Sequence, residues 1–156
     1  MPQDNSFLVE RKTTISAPPE KIHALIADFR NWTLWSPWEG ADPDMKRTYS
    51  GPDAGVGASY AWSGIRKAGS GNMTITDSKP GQIVVLDLVF TKPFKAENLT
   101  TFTIDPDADG SEVTWSMTGQ NNLLFRLVGK VFSMDKVVGK DFEKGLAQLK
   151  TEAEKP

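Results

Sequence analysis

The stretch Ser111–Leu149, S-E-V-T-W-S-M-T-G-Q-N-N-L-L-F-R-L-V-G-K-V-F-S-M-D-K-V-V-G-K-D-F-E-K-G-L-A-Q-L, changes its apolar period part-way. Val113, Trp115 and Met117 alternate with polar residues, the period of a strand with one buried face. From about Asn121 or Asn122 the period lengthens. Leu127, Val131, Met134, Val138, Phe142, Leu146 and Leu149 then recur every three or four residues, which predicts a long helix with a single apolar stripe. Lys130, Lys136, Lys140, Lys144 and Lys150 lie off that stripe, with Asp141 and Glu143 among them. Gly129, Gly139 and Gly145 each cost about 1 kcal/mol relative to alanine at an exposed interior helical position. A close crossing of helix and sheet accounts for one or two of them. Residues 151–156 are expected to fray.

Upstream of this stretch, short alternating segments are separated by turn residues. Met45–Tyr49, Val56–Trp62, Gly71–Ile75, Ile83–Phe90, Ala96–Ile104 and Ser111–Thr118 read as strands, parted by turn-rich connections such as Gly51–Gly55, Lys79-Pro80-Gly81 and Asp105–Gly110. Phe7–Ile15 reads as a first strand with Val9, Arg11, Thr13 and Ile15 on one face. Pro18 and Pro19 follow, tolerated in a first helical turn where their missing amide donors cost nothing. Ile22, Leu25, Ile26 and Phe29 then carry helical spacing over roughly residues 18–28. Trp32, Trp35 and Trp38 recur at intervals of three, but Pro37 stops a long helix, so a short second helix and a loop are predicted. The order is strand, two short helices, six strands and a long helix. A sheet with one face to cover and a helix with one stripe to bury predict an α+β domain, a curved antiparallel seven-stranded sheet around the C-terminal helix.

The chain has 156 residues, 38% of them hydrophobic, enough for a single domain over residues 1–156 with its own core. No apolar run reaches the length of a membrane span, and Met1–Ser6 has neither the basic start nor the apolar centre of a signal peptide, so a cytoplasmic location is expected. Zero cysteines remove disulfides, thiolate nucleophiles and thiolate metal sites, and one histidine leaves no His-paired metal site. No metal or cofactor is expected. A net charge of −2 argues against nucleic-acid binding, which needs concentrated positive charge. Gly55-x-Gly57 and Gly69-x-Gly71 lack the strand–turn–helix setting and full spacing of a dinucleotide fingerprint. Asp105-x-Asp107-x-Asp109-Gly110 opens like a calcium loop but has Ser116 where the closing glutamate belongs, so an acidic hairpin turn is the simpler reading. Composition leaves a homodimer open.

Together the order and several motifs resemble the START-like (SRPBCC) helix-grip superfamily, and within it the polyketide cyclase/dehydrase branch. The motifs are Ile15-Ser16-Ala17-Pro18-Pro19-Glu20-Lys21-Ile22, Asp28-Phe29-Arg30-Asn31-Trp32, Trp35-Ser36-Pro37-Trp38, Gly55-x-Gly57 before a strand, Ser111-Glu112-Val113-Thr114-Trp115 in the last strand, and the terminal helix. The resemblance spans residues 6–150. It implies the helix-grip fold and a hydrophobic cavity between sheet and helix, used in that superfamily by carriers, ligand-dependent regulators and enzymes that orient carbonyl-bearing substrates.

Strand phase aims Tyr60, Trp62, Met73, Leu86, Leu88, Phe90, Asn98, Thr100, Phe102, Trp115 and Met117 at one interior. These are candidate ligand-binding residues for a hydrophobic small molecule, and the alternative is an ordinary packed core. Asn98 stands out because a buried amide needs partners and a buried leucine does not. Trp38, with Trp32 and Trp35, is either a mouth for the cavity or a pin holding the short helix to the body, and pinning is favoured for at least two of the three. Tyr60 is the candidate donor to a substrate carbonyl, with no matching base. Arg11 and Arg47 are possible carboxylate anchors, with solvent exposure the simpler alternative. Asp87 falls in the outward phase of its strand, and His23 is expected to face solvent. The leading reading is binding or transfer of a hydrophobic small molecule. A cyclase, dehydratase or related enzyme acting on an aromatic or polyketide-like substrate is the alternative, and a ligand-responsive protein-interaction module is the third.

Overall fold

Prolines 18 and 19 and the alternating segments after them place every element in the expected order. The computed structural model describes residues 6–36, 46–64, 70–92, 96–108, 110–120 and 134–156. Strand β1 (Ser6–Ile15) is followed by helix α1 (Pro19–Ala27) and a 3-10 turn (Phe29–Leu34). Six strands come next: β2 (Lys46–Ser50), β3 (Ser59–Ser63), β4 (Ser70–Lys79), β5 (Ile83–Lys92), β6 (Ala96–Asp107) and β7 (Gly110–Gln120). Helix α2 is described over Met134–Ala153. The strands form one antiparallel, curved sheet in the order β1-β7-β6-β5-β4-β3-β2. Consecutive strands β1 and β2 thus sit at opposite edges, and the segment carrying α1 and the 3-10 turn connects them.

Helix α1 begins with Pro18 in extended conformation and Pro19 in its first turn, and buries Ile22, Ile26 and Ala27. It stops at Asp28, whose backbone is extended and whose carboxylate accepts from the Arg30 amide at 2.9 Å, capping the 3-10 turn. The last carbonyls of a helix lack internal donors. Here Trp35 Nε1 donates to the Leu25 carbonyl and Trp32 Nε1 to the Ile26 carbonyl, each at 2.8 Å. Both rings are buried, so these two tryptophans pin the turn to the body; Trp38 lies outside the described residues.

Along α2, Phe142, Leu146, Leu149 and Ala153 are buried, Val138 is partly buried, and Lys140 and Lys144 are exposed. The stripe read from the period is therefore the face laid on the sheet. Phe142 stacks on Trp115 of β7 with ring centres 4.0 Å apart and planes 10° apart. Gly139 has a steric reason: a β-carbon there would lie 2.3 Å from the Arg11 guanidinium, which reaches across it to Glu143 at 3.0 Å. Leu127, Val131, Gly129 and the helix start expected near residue 121 lie outside the described residues.

Three expectations need correction. The tail from Thr151 does not fray at once: α2 continues to Ala153, which is on the inward stripe four residues past Leu149 and is buried. Glu154 then accepts from the Ser16 amide at 2.8 Å, Lys150 donates to the Thr14 carbonyl at 2.9 Å, and Lys21 donates to the Lys155 carbonyl. The 105–110 connection is also tighter than expected, because β6 runs on to Asp107, which pairs with Gly110 of β7. Finally, β3 starts at Ser59 rather than Val56, since Gly55 and Gly57 both take left-handed φ in the preceding turn.

Candidate functional site

The strand registers arrange the inner face of the sheet in rows. Deepest is an aromatic block in which Phe102 and Trp115 lie side by side, with centres 4.8 Å apart, beneath Phe142, Trp32 and Trp35. Phe102 and Trp115 are at most 1% exposed, so this end is closed. The next row is Met117–Thr100–Leu86–Ile75, followed by Gly119–Asn98–Leu88–Met73–Tyr60–Tyr49. The last is Phe90–Gly71–Trp62–Arg47, where Phe90, Trp62 and Arg47 are only partly buried. Burial thus falls from the aromatic block toward the Trp62–Phe90 row.

That outer row depends on a glycine. Trp62 lies over Gly71, where a β-carbon would fall 2.8 Å from the indole and 2.3 Å from the Val89 carbonyl oxygen. The indole meets Phe90 edge-on at 5.6 Å and stacks on Tyr60 at 6.1 Å. Tyr60 in turn contacts Tyr49 at 5.2 Å, and the Arg30 guanidinium sits 5.0 Å from the Tyr49 ring. Arg30 is held by Asp53 at 3.3 Å, so the 3-10 turn and the loop before β3 together steady the edge strand β2.

Two inward polar side chains stand next to each other on β6. Asn98 is 6% exposed and Thr100 is 3% exposed. The Thr100 hydroxyl is fully enclosed and has no hydrogen-bond partner among the described residues, and no side-chain hydrogen bond of the neighbouring Asn98 amide is seen among them. Buried polar groups are ordinarily paired, and leaving one unpaired costs about 1–3 kcal/mol. Among strand residues whose side chains are described, those on the inner face that can titrate or carry charge are Arg11, Arg47, Tyr49 and Tyr60. Arg11 is spent on Glu143 and the Glu10 carbonyl, a tie between β1 and α2 rather than a ligand anchor. Arg47 is not simply solvent-facing, since it is half-buried opposite Trp62.

Comparison with known proteins agrees with this geometry. Residues 6–154 match the family described as polyketide cyclase/dehydrase and lipid transport. The chain belongs to that family. Solved structures of the same fold include the di-domain ARO/CYC protein BexL of the BE-7585A biosynthetic pathway, at 12% identity and TM-score 0.72, covering 99% of this chain and 52% of that one. The di-domain ARO/CYC protein StfQ of the steffimycin pathway is similar at 10% identity and TM-score 0.72, covering 97% and 52%. A protein from Chromobacterium violaceum aligns over 97% of this chain and 99% of its own, at 17% identity and TM-score 0.67. The chain spans about half of each di-domain protein. No curated protein sequence matches it.

Within this family fold, Tyr60, Trp62, Met73, Leu86, Leu88, Phe90, Asn98, Thr100, Phe102, Trp115 and Met117 all face the sheet interior, as their alternation predicts. The rows separate them. Phe102 and Trp115 belong to the closed end, Leu86 and Met117 to the next row with Thr100, and Trp62 and Phe90 to the open one. Tyr49 is legible from its alternation with Arg47, whereas Gly71 carries no sequence signal, because its role is the space it leaves for Trp62.

His23 was expected to face solvent and does not. It is half-buried, bonds Ser78 Oγ through Nε2 at 2.9 Å, and is held below its ordinary pKa by burial. It borders an open crevice with Ala27, Asn31, Gly55, Ser78 and Pro80. Among the described residues no carboxylate bonds its other ring nitrogen, so the pair is a contact between α1 and β4 rather than a catalytic relay. Asp87 keeps the outward phase, opposite exposed Leu99. Asp105 and Asp107 are exposed, Asp109 lies outside the described residues, and no group of three or more candidate metal ligands gathers among those described. No described helix is long and apolar enough to cross a membrane.

Proposed function

We propose that the chain binds or transfers a hydrophobic small molecule held between the curved sheet and α2. The observation that carries this reading is the gradient along the inner face: a closed aromatic end, then the unpaired, enclosed hydroxyl of Thr100 beside the inward amide of Asn98, then the partly exposed aromatic row of Trp62 and Phe90. A protein with no ligand gains nothing from leaving an enclosed hydroxyl unpaired beside an inward amide, next to partly exposed aromatic rings. Apolar walls with a few polar groups that set orientation are the usual composition of a small-molecule site. Family membership and the ARO/CYC relatives support the same class of ligand.

An enzyme acting on an aromatic or polyketide-like substrate through Tyr60 is less well supported. General acid–base work needs a proton acceptor within hydrogen-bond reach of the reacting group. The described inner-face strand residues include neither carboxylate nor histidine, and Tyr60 is packed against Phe29, Tyr49 and Trp62. Calorimetric titration with a fluorescent apolar aromatic compound, together with amide chemical-shift mapping, tests the binding reading. Saturable one-to-one binding that perturbs β3 to β6 and leaves the outer sheet face quiet is expected. Perturbation confined to the surface rejects it.

A further inference from the structure

Asn98 and Thr100 occupy successive inward positions of β6, and their surroundings limit what can sit against them. Asn98 is flanked across the sheet by Leu88 and by Gly119, which leaves its β7 side without a side chain. Thr100 is flanked by Leu86 and Met117. None of these neighbours is charged. Of the two inward arginines among the described residues, Arg11 is engaged with Glu143. Arg47 stands on β2, four strands from β6, roughly 19 Å away across the sheet at ordinary strand spacing.

We infer that Asn98 and Thr100 are the specificity-determining pair of the site, taking a ligand that enters between Trp62 and Phe90 with an uncharged oxygen-bearing end, such as a ketone or hydroxyl, pointing inward. This rests on the binding reading proposed above. Asn98 supplies two amide donors and a carbonyl acceptor, and Thr100 a hydroxyl that both donates and accepts, so a neutral oxygen satisfies the pair. A carboxylate or ammonium at the same depth would shed its hydration with no opposite charge beside it among the described residues, which is far costlier. Depth also sets a length. Phe90 pairs with Ala96, two residues along β6 from Asn98 and four from Thr100. At about 3.3 Å per residue, the polar end therefore lies roughly 7–13 Å beyond the Phe90 row. A fused bicyclic aromatic spans that distance while its rings stay against Trp62, Phe90 and Leu88. The polar end is thus the buried end, opposite to an amphiphile that leaves its head group in water.

The test uses three naphthalenes bearing an isopropenyl, acetyl or carboxylate group at the same ring position, which share a planar shape and differ in polarity and charge. Their affinities are measured by calorimetry for the parent protein and for Asn98→Leu, Thr100→Val and the double variant. The parent should bind the acetyl compound about tenfold more tightly than the isopropenyl one, the worth of one good neutral hydrogen bond, and the carboxylate more weakly than either. The double variant should lose the acetyl preference while keeping isopropenyl binding. Without ligand, Thr100→Val should unfold at the parent midpoint or above it, because no hydrogen bond is lost. An acetyl preference unchanged in the double variant overturns the inference and leaves the cavity intact. So does tightest binding of the carboxylate that disappears in Arg47→Leu, which places the polar end at the rim. Failure of all three compounds, the isopropenyl one included, overturns the binding reading and this inference with it.

Discussion

Truncating Phe142 to alanine probes the contact on which the fold closes. Its side chain is 1% exposed and lies flat on Trp115, with ring centres 4.0 Å apart and planes 10° apart. Withdrawing the ring forfeits about 1.5–3 kcal/mol of apolar burial and about 0.5–1.5 kcal/mol from the aromatic pair. Because Trp115 is also held by Phe102, Trp32 and Trp35, the surroundings cannot collapse fully into the space, and a cavity cost is added. The sum falls in the usual range for a buried phenylalanine, about 3–5 kcal/mol. At about 2–4 °C per kcal/mol for a chain of this size, the midpoint should fall by roughly 6–20 °C. Urea unfolding followed by far-ultraviolet circular dichroism, rather than by tryptophan fluorescence that the substitution itself alters, gives the stability directly. Phe142→Asp should be worse, since it buries an unpaired charge. Lys144→Asp, two residues away and exposed, is the control and should change stability by less than about 0.5 kcal/mol. Equal midpoints for the Phe142 and Lys144 variants, both near the parent with an unchanged denaturant slope, would refute the assignment of the α2 face.

Gly71→Ala should destabilise by about 1–3 kcal/mol, as overpacking does, because the added carbon meets the Val89 carbonyl oxygen at 2.3 Å as well as the Trp62 indole; an unchanged urea midpoint would show that the two strands have room. Removing residues 151–156 should lower the unfolding midpoint, since it deletes buried Ala153 and the Glu154 contact to the Ser16 amide; a midpoint equal to the parent's would mean that the last turn holds nothing. The folded-state pKa of His23 is depressed by burial, so the neutral ring is favoured in the folded protein. The associated stability is fully present above the unfolded-state pKa of about 6.5 and is lost as pH falls through the folded value. Imidazole NMR should show His23 titrating below 6.5, and His23→Gln should remove that part of the acid slope; a normal or raised pKa would contradict its packing against Ser78.

Much of this molecule is written in local pattern, because period is a one-dimensional property. A two-residue repeat sends alternate side chains to opposite faces whatever the strand pairs with. Tyr60, Leu88, Asn98 and Met117 could therefore be placed inward, and Asp87 outward, before any register was known. The three-to-four-residue repeat likewise identified Phe142, Leu146 and Leu149 as the buried face of α2. The family motifs added which helix closes on which sheet.

Tertiary structure alone decided which inward residues pack and which remain available. Phe102 and Trp62 look alike in sequence, both aromatic and both in phase. One lies under Trp32 and Trp35, which are anchored by the otherwise unpaired carbonyls at the end of α1, and the other lies over a glycine in the outer row. The same holds for His23 and for the last turn of α2, whose burial depends on Ser78 fifty-five residues away and Ser16 one hundred and thirty-eight residues away. A periodic pattern specifies direction from the backbone. It does not specify the distance to whatever lies in that direction, and that distance separates a core residue from a ligand contact.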